Sequence, residues 1–522
     1  MKYLFFISSF LFVLVQAEVQ GQNRFNFSAG KLSGTTINGI KYNVFESSPT
    51  KRVVITQGAT TVYCNRATEN ALTKDVTATG NVIVKQDKMK ITGETMYYYQ
   101  KTGLVIISGK EVKMTQEDML LTTDKLYYNM NNGNAYYLKG GHVVQKQMDL
   151  TSQRGFMNRK NNILSFKSRV IMKDSVKNQT IETDTMSYNT TTQIATFPVS
   201  TFVKGKDGYV LAQFGGAFHN ATQEIFFRGK TISQTIDYAL DANDLYLNDS
   251  LDYGIAKYDV KLNIKKEKIN IFGDEMKYNN GMSDMKAYGH AYMEMPINSR
   301  DTLFLSADTL YSVVDTANNR TMYAYNNVQV YSKQMQGICD SLIYNLSDSM
   351  IYFYNAPVLW SQGSQITGNM ISAKLEEDDI DRMFIDSDSY IVSQDSLGNY
   401  NQIKGKEMVA HFNQGFITKV DIDGNGETIY NALEGDTLFL GMNYISCSKM
   451  VVYFADSNQI SDITYITQPE AKFIPPHELK EEDKFLEDFN PQFNKTPSPA
   501  LVYRLRNKLD AIIEEENPKS KK

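Results

Sequence analysis

Along most of this chain large apolar and polar residues alternate with period two, as strands with one buried face require. In "MKITGETMYYYQ", residues 89–100, the alternation breaks. Met89 and Ile91 are apolar at odd positions, Met96 and Tyr98 are large at even ones, and Gly93-Glu94 lies between. A continuous strand would point Ile91 and Met96 to opposite faces. If both are buried, the strand must bulge or turn a corner at Gly93-Glu94.

The break recurs. Steps of 30 residues from Glu94 reach Asp124, Arg154, Asp184, Phe214, Asp244 and Asp274. Looser steps reach Asp308, Asp340, Asn369, Lys406 and Ser448, and one step back reaches Cys64. Two places beyond these anchors stand Met96, Leu126, Phe156, Met186, Tyr246, Met276, Leu310, Leu342, Ile371, Met408 and Met450, with Arg66 and Gly216 as exceptions. Three places before them stand Ile91, Leu121, Ile181, Leu211, Ile271, Leu305, Ile366, Ile403 and Ile445. Two apolar columns an odd number of places apart predict strands that turn a corner with the apolar face kept inward.

The local grammar agrees. Turn residues lead into a short strand, as in "ISGKEVKMTQ"; the anchor strand follows, and "NMNNGN" or "NTTT" leads to a third short strand such as "GLVIISG". Each unit thus reads as three strands joined by tight turns. Gly93 and Gly273, with Gly368 and Gly405, stand at or beside anchors, where glycine eases a bend. Glu94, Asp124, Asp184, Asp274, Asp308 and Asp340 are read as corner formers that accept backbone N–H groups freed where the ladder breaks. The expected fold is all-β: an elongated two-sheet β-jelly roll or V-shaped β-solenoid built from ~30-residue repeats. Its interior would be lined by Ile91, Met96, Leu121, Leu126, Ile181, Met186, Ile271 and Met276. Met in that column (Met96, Met186, Met276, Met408, Met450) suits an adaptable apolar groove, and equally an irregular filled core.

Composition narrows the class. The 522 residues include 33 Tyr and 27 Phe but only 11 Pro, which favours strands. A formal charge of −5 argues against a nucleic-acid partner. Cys64, Cys339 and Cys447 are too few and too far apart for a disulfide framework and read as small corner residues. Residues 1–17 carry Lys2, an apolar run and a Val15-Gln16-Ala17 end, which predict a secretory signal peptide cut after Ala17. Residues 18–44 follow as a linker or cap, then 45–260 and 261–474 as two repeat segments, then 475–522 as a charged tail. Leu501, Leu505, Leu509 and Ile512 in that tail fit one face of a short helix.

Candidate chemistry is thin. The five His are dispersed, and no G-x-S-x-G, H-E-x-x-H or phosphate loop occurs. Asp421, Asp423, Asn425 and Gly426 match the first half of a calcium loop, but Ala432 stands where its bidentate Glu is needed, so the stretch reads as a hairpin turn. The anchor acids are sometimes replaced, by Arg154, Phe214 or Lys406, which disfavours a polysaccharide-processing β-helix enzyme. No catalytic site, metal or cofactor is expected.

The series "VTATGNVIVKQDKMKITGETMYYYQKTGLVIISGKEVKMTQEDMLLTTDKLYYN" resembles the OstA-like N-terminal domain. This domain forms the periplasmic lipopolysaccharide-transport bridge protein and the soluble part of its outer-membrane partner. A D-x-[LM]-x-Y strand is met at Asp124/Leu126/Tyr128, Asp184/Met186/Tyr188, Asp274/Met276/Tyr278 and Asp340/Leu342/Tyr344. The segment "GNGETIYNALEGDTLFLGMNYISCSKMVVYF" is similar to the end of long OstA-like proteins of the Bacteroidota type. The resemblance implies a periplasmic protein carrying lipopolysaccharide from inner to outer membrane, with lipid A acyl chains between the sheets. The phosphate-bearing sugars would then stay at the solvent edge, which an acidic protein tolerates if local lysines such as Lys85, Lys88 and Lys90 lie near the rim. It also implies edge-strand docking to an inner-membrane lipopolysaccharide-export complex and an outer-membrane translocon, and head-to-tail self-association. The chain is several times longer than the short bridge proteins of that family. The alternative is a structural or adhesive β-solenoid of the cell envelope with a dry, filled core.

Overall fold

The computed structural model describes residues 25–498, apart from 177, 298–300, 377–378, 414–415, 436 and 456–459. The signal segment and the helical face at 501–513 lie outside these residues. Strands follow one another in antiparallel hairpins: Val76–Gln86 pairs with Met89–Tyr99, that strand with Leu104–Gln116, and the next with Met119–Asn129. Each ladder loses register once, between Thr79 and Val82, Thr92 and Thr95, and Thr123 and Lys125. The same shift recurs between Lys167 and Val170, Phe272 and Glu275, Ser306 and Thr309, and Lys404 and Glu407. Burial changes parity across it. Ile91 and Met96, five residues apart, are both buried, as are Leu121 with Leu126, Ile181 with Met186 and Ile271 with Met276. The pieces "GLVIISG" and "ISGKEVKMTQ" are one strand, Leu104–Gln116, and not two. A unit is therefore two bent strands.

On most of the strands that face an anchor, a pair of left-handed residues makes the bend. Gly80-Asn81, Ser168-Arg169, Tyr258-Asp259, Gly289-His290, Asn326-Asn327, Asn355-Ala356, Ser387-Asp388 and Gly424-Asn425 have φ between 45° and 79°. Two such residues in succession add unpaired backbone and swing the strand into a second sheet. Gly93, Gly273, Gly368 and Gly405 serve differently from the expectation: none has a left-handed φ, and what they supply is room. A Cβ on Gly93 would meet Ile107 Cγ2 at 2.6 Å, and one on Gly405 would meet Ile422 Cγ2 at 2.4 Å.

The inner side of the bend admits only small residues. Cys64, Gly93, Thr123, Ser152, Thr183, Ala212, Ala242, Gly273, Ala307, Cys339, Gly368, Gly405 and Cys447 occupy it in chain order. This column moves four anchors by one place. The corners lie at Asn65, Gln153, Gln213 and Asn243, and not at Cys64, Arg154, Phe214 and Asp244. Ala67, Gly155, Gly215 and Leu245 then face inward, while Phe156 and Leu211 are on the outer face, 37% and 39% exposed. Gly93→Val should therefore destabilise the fold by about 1–3 kcal/mol through overpacking, while Lys125→Ala, at an exposed site, should stay within about 0.5 kcal/mol. Equal denaturant midpoints for the two variants would contradict this account of the bend.

Contacts divide the chain into two units, Met1–Ile236 with Asp241–Gly254, and Asp237–Leu240 with Ile255–Lys522. In the first, Asn26–Ser28 pairs with Val53–Gln57, and the hairpin Lys31–Ile37/Ile40–Glu46 pairs with Arg66–Asn70. In the second, the last strands are Ile460–Ile466 and Glu470–Ile474, both on Leu438–Phe454. Beyond Pro475-Pro476 the part of the tail that is described is packed. Leu486 is buried with Tyr390, Val392, Ile429 and Met442, and Leu479, Phe489 and Phe493 pack against them. Ile391 pairs with Ile403 on the inner face, so Tyr390 and Val392 point outward and the tail covers the outside of the sheet. Two buried glutamines hold it there. Gln402 donates to the Lys484 carbonyl at 2.8 Å and accepts the Leu486 N–H at 2.9 Å. Gln365 donates to the Asn490 carbonyl at 2.9 Å and accepts the Gln492 N–H at 2.5 Å.

Candidate functional site

The corners fold each long strand so that its two halves face one another. In the first unit a cavity of about 50 Å³ lies between the halves. Met119, Leu121 and Val143 line it from one sheet, and Leu126, Leu164 and Phe166 from the other. A void of that size admits water, but one lined by carbon gives water nothing to bond and stays dry. A smaller cavity, about 20 Å³, lies between Ile55, Val84 and Ile91 on one side and Met96, Tyr98 and Ile107 on the other, with Phe25 beside them. Leu121 with Leu126, and Ile91 with Met96, thus meet across the interior from opposite sheets. Ile181 and Met186 hold the same places in a later turn of the first unit, and Ile271 and Met276 in the second unit.

A rim of tyrosines stands where the sheets end. Tyr98, Tyr128 and Tyr188 lie at the fourth place after the corner and close to the hairpin ends. The Tyr128 hydroxyl donates to Gln86 Oε1 at 3.0 Å, reaching the hairpin end of the facing sheet. Burial raises the Tyr98 and Tyr128 hydroxyls and pushes Tyr188 up to about 12. The D-x-[LM]-x-Y strand is thereby explained position by position: a carboxylate at the corner, a floor residue inside, and a tyrosine closing the mouth. Lys88 lies at that mouth with its ammonium 2.9 Å from Glu117, while Lys85 lies over the Tyr63 ring.

Several corner acids clasp the next strand. Asp274 Oδ2 is 2.9 Å from His290 Nδ1, Asp308 Oδ2 accepts Asn327 Nδ2 at 2.9 Å, and Asp340 Oδ2 accepts Asn355 Nδ2 at 3.1 Å. The Ser341 hydroxyl and the Asn355 amide hold the Asp340 carboxyl below its ordinary range. Glu94 accepts a backbone N–H, that of Lys110, at 3.2 Å. The partner at the other three is thus a side chain of a left-handed residue, where backbone N–H groups were expected. Asp124 and Asp184 are exposed at their corners.

The stretch read as a hairpin turn at 421–426 is the corner of one strand, Phe416–Glu434. Asp421 lies 2.7 Å from both Lys419 and His411, and Asp423 lies 2.6 Å from Lys449. These carboxylates are committed to cations. Among the described residues no group of three or more His, Cys, Asp or Glu is placed to hold a metal ion. The three thiols are free and share the small column. Burial pushes Cys64 up to about 11 and Cys339 up to about 12, and it raises Cys447. At pH 8 a thiol titrating near 11 is only about one part in a thousand thiolate. Iodoacetamide should therefore leave the folded protein largely unlabelled and modify it rapidly in denaturant. Fast labelling of the native protein would show that the corner is open.

Fold and interior together define an all-β, two-sheet jelly roll with an apolar interior and a polar mouth. Residues 35–176 match the family model for OstA-like protein, and this part of the chain is OstA-like. No curated protein matches the chain. Among solved structures, LptH from Pseudomonas aeruginosa, described as the LptA-homologous periplasmic component of the lipopolysaccharide transport device, aligns at 13% identity. It covers 23% of this chain and 82% of its own, with a TM-score of 0.20. The extracellular domain of a hybrid two-component system from B. thetaiotaomicron aligns at 7% identity over 87% of this chain and 92% of its own, with a TM-score of 0.09. No helix among the described residues is long and apolar enough to cross a membrane.

Proposed function

We propose that this chain is a non-catalytic periplasmic carrier that binds lipopolysaccharide and takes part in moving it from the inner to the outer membrane. The observation that carries the reading is the carbon-lined cavity between the sheets at Leu121 and Leu126, inside the OstA-like segment. Acyl chains enter by parting the two sheets at the mouth. Opening it costs hydrogen bonds such as that of Tyr128 to Gln86, about 0.5–1.5 kcal/mol each. Each methylene buried returns about 0.8 kcal/mol, so two or three offset one such bond and the remainder of the chain favours loading.

The exposed strand Lys31–Ile37, paired in the sheet by Ile40–Glu46 on one side, offers an edge to a similarly built partner in the first unit. Ile460–Ile466 and Glu470–Ile474 offer one in the second. Suitable partners are an inner-membrane export complex, an outer-membrane translocon or another copy of this chain. A filled structural roll is the competing reading, and the smallness of the two cavities, about 50 and 20 Å³, speaks for it. Purification from native membranes followed by mass spectrometry separates the two. Co-purified lipid A with its acyl chains is the expected result, along with retention of lipopolysaccharide at the inner membrane when the protein is depleted. Lipid-free protein and normal outer-membrane lipid after depletion would favour the filled roll.

A further inference from the structure

In the second unit the tyrosine rule holds at Tyr278 and Tyr344 but not at the turn between them. Ser312 stands four places after the corner at Asp308, and Arg320, opposite Val314 in the neighbouring strand, fills the space beside it. The Arg320 side chain is 4% exposed. Its Nη1 donates to Ser312 Oγ at 2.8 Å and its Nη2 to the Tyr238 hydroxyl at 3.3 Å. The carboxylate it faces, Glu267, is 3.8 Å from Nε, beyond hydrogen-bond distance, and Nε has no hydrogen-bond acceptor. A buried guanidinium held mainly by neutral hydroxyls is costly to keep in place.

Glu267 belongs to a basic turn, Lys265-Lys266-Glu267-Lys268, between the strands Tyr253–Ile264 and Ile269–Asn279. The Lys265 N–H donates to the Asp237 carbonyl at 3.0 Å, and the Lys266 and Lys268 side chains are exposed. Two other carboxylates lie close in the chain. Asp237 is exposed. Asp315, in the turn before Arg320, accepts the N–H groups of Ala317 and Asn319 and the Asn319 amide. Arg320 thus faces a turn that carries three lysines, in a protein whose formal charge is −5.

We propose that Arg320 and the Lys265–Lys268 turn bind a phosphomonoester, the headgroup phosphate of an amphiphile whose chains lie between the sheets. The proposal rests on the carrier reading above. The guanidinium presents a planar fork that matches two phosphate oxygens, and Ser312 and Tyr238 orient it. Phosphate takes the place of Glu267, whose carboxylate turns to solvent among the lysines.

The test uses the full chain and three probes: a detergent-dispersed bisphosphorylated acylated glucosamine disaccharide, the same lipid without its phosphates, and inorganic phosphate. The phosphorylated lipid should bind at least roughly tenfold more tightly than the dephosphorylated one. Arg320→Gln should abolish that preference while leaving binding of the dephosphorylated lipid unchanged. Because Arg320 is buried and Arg320→Gln can disturb folding, the exposed pair Lys266→Glu/Lys268→Glu serves beside it. That variant should weaken only the phosphorylated lipid, by roughly threefold to tenfold, and flatten its salt dependence. Equal affinity for the two lipids, or an unchanged preference in both variants, overturns the site and leaves the carrier reading intact. Arg320-dependent binding of inorganic phosphate with neither lipid bound keeps the anion site and overturns the carrier reading. No binding of any probe overturns both.

Discussion

Leu126→Asp should unfold the first unit. Leu126 is fully buried, five residues from Leu121 across the corner, and lines the cavity with Leu164 and Phe166 from its own sheet. Removing its side chain alone, as in Leu126→Ala, should cost about 2–5 kcal/mol. Asp adds an unpaired charge that nothing in the carbon lining can solvate, a penalty of about 3–5 kcal/mol where a buried charge lacks a partner. Together these approach the whole stability of an ordinary domain, about 5–15 kcal/mol. Lys125→Asp, one residue away and exposed, should leave the melting temperature nearly unchanged. Thermal melts followed by circular dichroism, with limited proteolysis to locate the loss, decide it. Similar melts for the two variants would mean that Leu126 does not face a closed interior.

Ending the chain after Ile474 should strip the outer face of the second unit. The truncation uncovers Tyr390, Val392, Ile429 and Met442 and removes Leu486, Phe489 and Phe493 from them. At about 1.5–3 kcal/mol for each large side chain, less for those only partly buried, the loss is about 3–6 kcal/mol. Gln402 and Gln365 also lose the backbone groups they hold. The chain carries its own reporter. Trp360, the one tryptophan, is buried and pairs in register with Gln365, so both lie on the same face of the sheet. Its emission should shift to the red on truncation, and Gln402→Leu should produce a smaller loss of stability without that shift. Unchanged emission and melting would mean that the tail rests on the sheet without supporting it.

The corner was legible in the sequence because it reverses the parity of alternation, and Ile91 with Met96 shows this without any structure. Placing every corner was harder. The outer face is itself aromatic: Tyr127 stacks on Tyr136 at 4.6 Å, and Phe156 follows at 6.1 Å. Hydrophobicity therefore could not tell Phe156 from an interior residue, nor Tyr246 from Leu245. The small residue before each corner was the better ruler, since sterics at the inner bend exclude anything else. Cys64, Ser152, Ala212 and Ala242 were present to be read this way. The left-handed pairs left little trace because residues such as Tyr258-Asp259 and Ser168-Arg169 carry no turn signature. The packed tail was hidden by its charge: three apolar anchors, Leu486, Phe489 and Phe493, are spread through an acidic stretch. Arg320 was invisible because its surroundings come from Tyr238, Glu267 and Ser312, far apart in the chain.

The central claim, that acyl chains lie between the two sheets, is tested most directly by photo-crosslinking in cells. A photoreactive residue replaces, one at a time, Met96 and Leu126, which face the interior, and Lys125, which faces solvent. Lipopolysaccharide captured at positions 96 and 126 and not at 125 is the result expected. Capture at 125 alone, or at none of the three while the protein remains folded, would contradict the claim.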